Sequence, residues 1–288
     1  MNYRHDFHAG NFADVLKHVV LCSILVYLRR KPAGFRVVDT HAGAGLYDLT
    51  GAEATRGAEW QDGIAKLLSA KLSAKTAAVL APYLEVIGAL NERGQLRVYP
   101  GSPALTRAWL RPQDRLVACE LEPKAATALA RNLRSDSRIK TLRIDGWTAL
   151  NAYVPPKERR GVVLVDPSYE ADNDFTRLFS ELMAGYRKWP TGIYLLWYPI
   201  KGRGNPDLLA RRFRRSGLQK ALRAEIQVGP LSDPSRLNGC GLIVVNPPWT
   251  LEQDLSGAGA ELATILAREG KPAFRLDWLT GETGPGPH

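Results

Sequence analysis

The sequence predicts a doubly wound α/β sheet, mostly parallel with an antiparallel last strand, and three observations carry that expectation. After Pro100, short apolar and β-branched runs alternate with amphipathic runs at helical spacing, the text of strand and helix units laid around a parallel sheet. The strand runs end abruptly in loops rich in Gly, Asp and Pro, as strands feeding crossover helices do. The last two apolar runs, Lys220 to Val228 and Gly241 to Trp249, are joined by a short loop, which suits an antiparallel pair.

Taken in order, Phe12, Val15, Leu16, Val19, Val20, Ile24, Leu25 and Leu28 recur at helical spacing until Pro32 and Gly34 stop the helix. "FRVVDTHAGAG" reads as a strand that climbs to Asp39 and breaks into a small-residue loop. From Arg56 to Asn91 the text is helical, so residues 52–98 are expected to form an inserted helical subdomain. "RLVACELEP", "IKTLRIDG", "GVVLVDPSY" and "TGIYLLWYPI" read as strands. "KAATALARNL", "DFTRLFSELMAGYRKW" and "NPDLLARRFRRSG" read as the helices between and after them. The whole is one domain, 1–288, with residues 281–288 expected as a disordered tail.

Composition sets the class. At 288 residues, 45% hydrophobic and 24% charged, the chain can bury a sizeable core. The net charge of +10 favours a polyanionic partner. Cys22, Cys119 and Cys240 stand far apart in no ligand spacing, so neither disulfide nor zinc is expected. His5, His8 and His18 lack an acidic or Cys partner at ligand spacing, and no metal is expected there. The apolar run from Val19 to Leu28 is too short to span a bilayer. No signal-peptide hydrophobic region follows the polar start, and a cytoplasmic location is expected.

Ligands of open parallel sheets sit beyond the carboxyl ends of the strands, and here those ends are chemically suggestive. Gly43 and Gly45 permit close backbone approach after the first strand. Glu120 can accept hydrogen bonds from ribose hydroxyls, and Asp145 with Gly146 offers a carboxylate and an amide to the edge of an adenine. Asp166-Pro167-Ser168-Tyr169 ends the next strand. There the carboxylate and the Pro167 carbonyl can accept both N–H bonds of an exocyclic amine, drawing its nitrogen toward tetrahedral geometry, while Tyr169 can stack on the base. A similar phrase, Asn246-Pro247-Pro248-Trp249, ends the last strand, after these loops are finished. It is expected to be a rigid strand exit with Trp249 packed.

On these residues the chain resembles the S-adenosylmethionine-dependent N6-adenine methyltransferases that carry an Asp-Pro-Pro-Tyr motif. More narrowly it resembles the ribosomal RNA large subunit methyltransferase J family. "NYRHDFHAGNFADVLKH", "DTHAGAGLYDL", "GQLRVYPGSP", "CELEP", "DGW", "DPSYE", "TGIYLLWYP" and "GLIVVNPPW" fall in that family's order. The resemblance implies a Rossmann-like class I methyltransferase fold and N6-methylation of one adenine, 2030, of 23S ribosomal RNA, naked or partly assembled. It further implies S-adenosylmethionine against His18, His41, Ser102, Glu120, Asp145, Gly146 and Asp166, with Asp166 and Pro167 also holding the target amine. The N-terminal segment, residues 1–18, would join the active site through Tyr3, His5 and Lys17. Ser168 departs from the motif by replacing its second proline. DNA adenine methylation, a silent RNA-binding scaffold and a nicotinamide oxidoreductase are the competing readings. Without the resemblance, Lys17 and His18 read as the end of a polar helix face, and Trp197 and Tyr198 as core.

Overall fold

The computed structural model describes residues 5–91 and 94–281. Asn11 accepts from the backbone N–H groups of Ala13 and Asp14 at 2.9 and 3.0 Å and so caps α1, Phe12–Arg29. The strands are β1 (Arg36–Asp39), β2 (Leu46–Asp48), β3 (Val98–Pro100), β4 (Arg115–Cys119), β5 (Ile139–Leu142), β6 (Gly161–Val165), β7 (Ile193–Ile200), β8 (Ala221–Gln227), β9 (Gly239–Val245) and β10 (Ala273–Thr280). The further helices are α2 (Ala52–Gly57), α3 (Ile64–Ser69), α4 (Ala74–Leu90), α5 (Ser102–Trp109), α6 (Pro123–Leu133), α7 (Gly146–Tyr153), α8 (Asp174–Lys188), α9 (Gly204–Arg214) and α10 (Leu251–Ile265).

Eight strands form one sheet in the order β10-β8-β9-β7-β6-β1-β4-β5. From β5 to β7 the pairing is parallel. The late pair is antiparallel as expected, but β9 is inserted between β7 and β8 instead of forming an edge. The edge is β10, whose text "AFRLDWLT" alternates apolar and polar as a half-covered edge strand does. Neither this strand nor α10 is foreseen by the sequence reading. Apolar side chains pack on both faces. Phe12, Leu16, Val20 and Ile24 of α1 meet Val37, Leu116 and Leu242 on one. Leu178, Leu182 and Phe213 of α8 and α9 meet Val163, Tyr194 and Ile243 on the other.

Residues 52–98 hold α2, α3 and α4, entered through β2 and left through β3. These two short strands pair antiparallel, Leu46 opposite Pro100, so the two ends of the segment are zipped together beside the loop after β1. Leu80, Tyr83, Val86 and Ile87 of α4 join the same apolar cluster as α1. The expected disordered tail falls, from residue 282 onward, outside the described residues.

Candidate active site

Strand order reverses at β1, which lies between β4 and β6, and a crevice opens at such a point beyond the strand ends. A pocket of about 430 Å³ occupies it. Its wall combines the loop after β1, the end of β4, the corner after β6 and the buried polar side of α1. Of the residues singled out in the sequence, His5, Lys17, His18, His41, Ser102, Glu120, Asp166, Pro167 and Tyr169 all line it. Tyr3 lies outside the described residues.

The centre of the site is an ion-pair chain. Lys17 Nζ stands 2.5 Å from Asp166 Oδ2 and 2.7 Å from Asp14 Oδ1. Asp14 Oδ2 accepts the Gly10 N–H at 2.9 Å and lies 3.0 Å from His5 Nε2. Burial alone would raise the Asp14 carboxyl, but the Lys17 ammonium and His5 beside it hold it well below the usual range. Burial likewise opposes the Lys17 charge, and the two carboxylates override it, so the ammonium stays charged far above its ordinary value. Asp14 was not foreseen. Its signal was available, since a carboxylate three residues before a lysine on an otherwise apolar helix must find a partner when buried.

Two neighbouring histidines remain neutral. Burial pushes His18 well below its ordinary value. Its Nδ1 lies 2.7 Å from the Tyr99 hydroxyl, itself 3.0 Å from that of Tyr83, while its Nε2 is buried without a hydrogen-bond partner. Burial lowers His41 to about 4, against the pull of Asp166 and Asp145. Deeper, Asp39 accepts the Ser102 hydroxyl at 2.6 Å, and burial raises its carboxyl to about 7.

Across the pocket, Glu120 accepts the Gly43 N–H at 2.9 Å and the Glu122 N–H at 2.8 Å, which fixes the carboxylate and leaves further lone pairs. Gly43 has φ of 59°, and a Cβ there would come within 2.0 Å of the Tyr47 hydroxyl, so glycine is required twice over. Tyr169 donates its hydroxyl to the Trp197 carbonyl at 2.8 Å, and its ring packs 4.9 Å from that of Phe175. Trp197 is half-buried and lines the pocket, whereas Tyr198 is core, with its hydroxyl on Glu225.

Asp145 and Gly146 stand at the start of α7, beside the pocket residue His41. Asp145 Oδ2 caps α7 by accepting the Thr148 N–H at 2.9 Å. Gly146 is packed so closely that a Cβ would meet the Thr40 carbonyl at 2.3 Å and the His41 ring at 2.6 Å. They support His41. Asp6, Asp14, Glu59, Glu120, Glu122 and Asp166 line the pocket against Lys17, Lys124 and Lys201, so carboxylates outnumber ammonium groups and the cavity suits a cationic ligand. Among the described residues, no group of three or more His, Cys, Asp or Glu is placed to hold a metal ion, and no helix is long and apolar enough to cross a membrane.

A mostly parallel sheet in this order, an antiparallel strand beside its last parallel member and a nucleotide-sized pocket at the switch point define the Rossmann-like class I methyltransferases. Within that class, residues 32–280 match the family model described as ribosomal RNA large subunit methyltransferase D, RlmJ. Two relatives are named ribosomal RNA large subunit methyltransferase J. That of Escherichia coli K12 is 39% identical over 98% of this chain and 100% of its own, and that of Haemophilus influenzae is 37% identical over the same shares. A crystal structure of a Legionella pneumophila protein superposes with a TM-score of 0.85 at 33% identity, covering 94% of this chain and 98% of the other. The chain belongs to the ribosomal RNA large subunit methyltransferase J family.

Proposed function

We propose that the protein transfers a methyl group from S-adenosylmethionine to N6 of one adenine of 23S ribosomal RNA, naked or partly assembled, in the cytoplasm. The observation that carries this reading is the Asp166-Pro167-Ser168-Tyr169 corner on the pocket wall at the end of β6, with Lys17 bonded to one Asp166 oxygen. The residues fit the methyl donor: the excess of carboxylates would suit its cation, Glu120, held by two backbone amides, would accept from its ribose, and the unpartnered Nε2 of His18 and the Ser102 hydroxyl would offer further polar contacts. Asp145 and Gly146, beside His41, would offer a carboxylate oxygen and a backbone amide to the edge of the donor's adenine.

S-adenosylmethionine supplies an electrophilic methyl sulfonium. Asp166 Oδ1, the oxygen not bonded to Lys17, accepts one N–H of the adenine amine and the Pro167 carbonyl accepts the other. Together they localise the nitrogen lone pair and aim it at the methyl carbon. Tyr169, anchored by its hydroxyl, stacks on the extruded base. Methylation makes N6 acidic, and Asp166 is the first acceptor for the proton it loses. Lys17 fixes the Asp166 rotamer, Asp14 fixes Lys17, and His5 ties the N-terminal segment to Asp14.

The test is transfer from labelled S-adenosylmethionine to 23S RNA that lacks or already bears the modification, with duplex DNA alongside. Label is expected on unmodified RNA alone, and its loss in Asp166→Ala. Label on DNA, or an active Asp166→Ala enzyme, would overturn the reading.

A further inference from the structure

The methyl-transfer pocket leaves the second proline corner of the sequence unused. Val245, the last residue of β9, pairs with Tyr194 near the start of β7. Asn246-Pro247-Pro248-Trp249 therefore leaves the sheet at the end of the strands opposite Asp166. The Asn246 backbone is left-handed, with φ of 52°, and its side-chain amide donates to the carbonyls of Pro190 and Gly192, each at 2.8 Å. From this pinned turn Trp249 projects with 74% of its surface exposed. The exposed indole offers a flat ring face on which a base can stack.

One cation stands over its ring and two more adjoin that cation in the sequence. The Arg30 guanidinium lies 5.8 Å from the Trp249 ring and 5.7 Å from that of Tyr27, and Arg29, Arg30 and Lys31 are consecutive and exposed. Arg111 braces their turn by donating to the carbonyls of Arg29, Lys31 and Ala33 at 3.3, 2.8 and 3.1 Å. Arg160 adds bonds to those of Leu28 and Ala33 at 2.9 and 2.6 Å. Of the neighbouring acids, Asp114 is paired with Arg111, while Glu252 and Asp254 of the first turn of α10, the latter under the influence of Arg30, set two negative charges against three positive ones. Among the charged groups lining the pocket, carboxylates outnumber ammonium groups, so the phosphates of a polyanionic substrate are better gripped on a basic surface outside it.

We propose that this corner is a second RNA-contact surface. Phosphates lie against Arg29, Arg30 and Lys31, and an unpaired base stacks on Trp249, the combination by which single-stranded RNA is held without sequence readout. The proposal rests on the ribosomal RNA reading and adds to it where the substrate is gripped outside the catalytic pocket.

The experiment measures binding of a 23S RNA fragment that carries the target region with its flanks, across a salt series, for the full-length wild type, Trp249→Ala, Trp249→Phe and Arg30→Gln. Trp249→Ala is expected to weaken binding roughly 5- to 100-fold, the size of one lost base stack, and Trp249→Phe to recover most of it. Arg30→Gln should flatten the logarithmic salt slope by about 0.7 to 0.9, one phosphate contact. Equal thermal stabilisation by S-adenosylhomocysteine in every variant shows that the fold is intact. If the wild type binds and methylates the RNA while affinity and slope are unchanged in the variants, the second surface is wrong. If the wild type is stabilised by S-adenosylhomocysteine but neither binds nor methylates RNA, the ribosomal RNA reading fails and takes this inference with it.

Discussion

Two proline corners end two strands of the same sheet, and their difference lies in direction rather than in composition. Asp166-Pro167-Ser168-Tyr169 follows the parallel strand β6, so it opens on the switch-point pocket, with its carboxylate bonded to Lys17 and its tyrosine lining the wall. Asn246-Pro247-Pro248-Trp249 follows β9, which runs the other way. Its asparagine amide is spent on two backbone carbonyls, and its tryptophan faces outward instead of packing as the sequence suggested. The second is spelled closer to an amino-methyltransferase motif, yet it is the first that lines the pocket. A catalytic phrase has meaning only at the end of the sheet to which helices and loops bring its partners.

The sharpest way to break this contrast is to remove the polar group from each corner. Asp166→Ala is expected to lower methyl transfer by about a thousandfold or more, through loss of the amine's positioning. Asn246→Ala should keep transfer within about threefold while losing roughly 1–2 kcal/mol of stability in urea unfolding, from two backbone carbonyls left to water. The reverse pattern in single-turnover methylation would move the active site to the other end of the strands.

Asp14→Asn comes next, at roughly 10- to 100-fold in kcat, because Lys17 would keep only one of its two carboxylates and Asp166 would lose a fixed partner. Asp14 and Lys17 form one unit, so the double variant Asp14→Asn with Lys17→Met should be little worse than either single variant. Additive losses would show that they act separately.

Asp39→Asn has a smaller effect and a defined pH signature. Folding raises the Asp39 carboxyl from 3.8 to about 7, so between those values the folded protein holds a proton that the unfolded chain has released. Wild-type stability therefore falls as pH rises across that window. Asn removes the slope, and the variant should be more stable than wild type at pH 8 by roughly 1–3 kcal/mol. Asp14 acts in the opposite sense: its depressed carboxyl contributes stability above its unfolded value, which is lost as pH falls. Thermal unfolding from pH 4 to 8 in both proteins checks the sign.

What the sequence made legible follows from the same geometry. Strand ends were readable, and so were the residues beyond them: His41, Glu120, Asp166 and Tyr169 all reach the pocket. The local bonds within a loop were not: three residues lead from β5 into α7, where Asp145 Oδ2 caps the helix and Gly146 packs against the Thr40 carbonyl and the His41 ring. Asp14 hid inside a largely apolar helix, because the lysine it shares, Lys17, finds its other carboxylate, Asp166, 149 residues further along the chain. The edge strand β10 went unread because its alternating text follows a helix that was itself missed.

The smallest expected effect tests how tightly the catalytic corner is held. Ser168 stands where the motif of similar enzymes has its second proline, and it lines the pocket without a hydrogen bond to any described residue. Proline there removes no bonded donor, and it fixes φ while restraining Pro167 before it. Its gain acts mainly on the unfolded chain, about 0.4–1 kcal/mol. Ser168→Pro is therefore expected to raise the unfolding midpoint slightly and leave kcat within about threefold. A large rise in kcat would mean that serine leaves the Pro167 carbonyl loosely aimed. A large fall would mean that the corner must flex to admit its base, in which case it resembles the rigid Asn246 turn less than its spelling suggests.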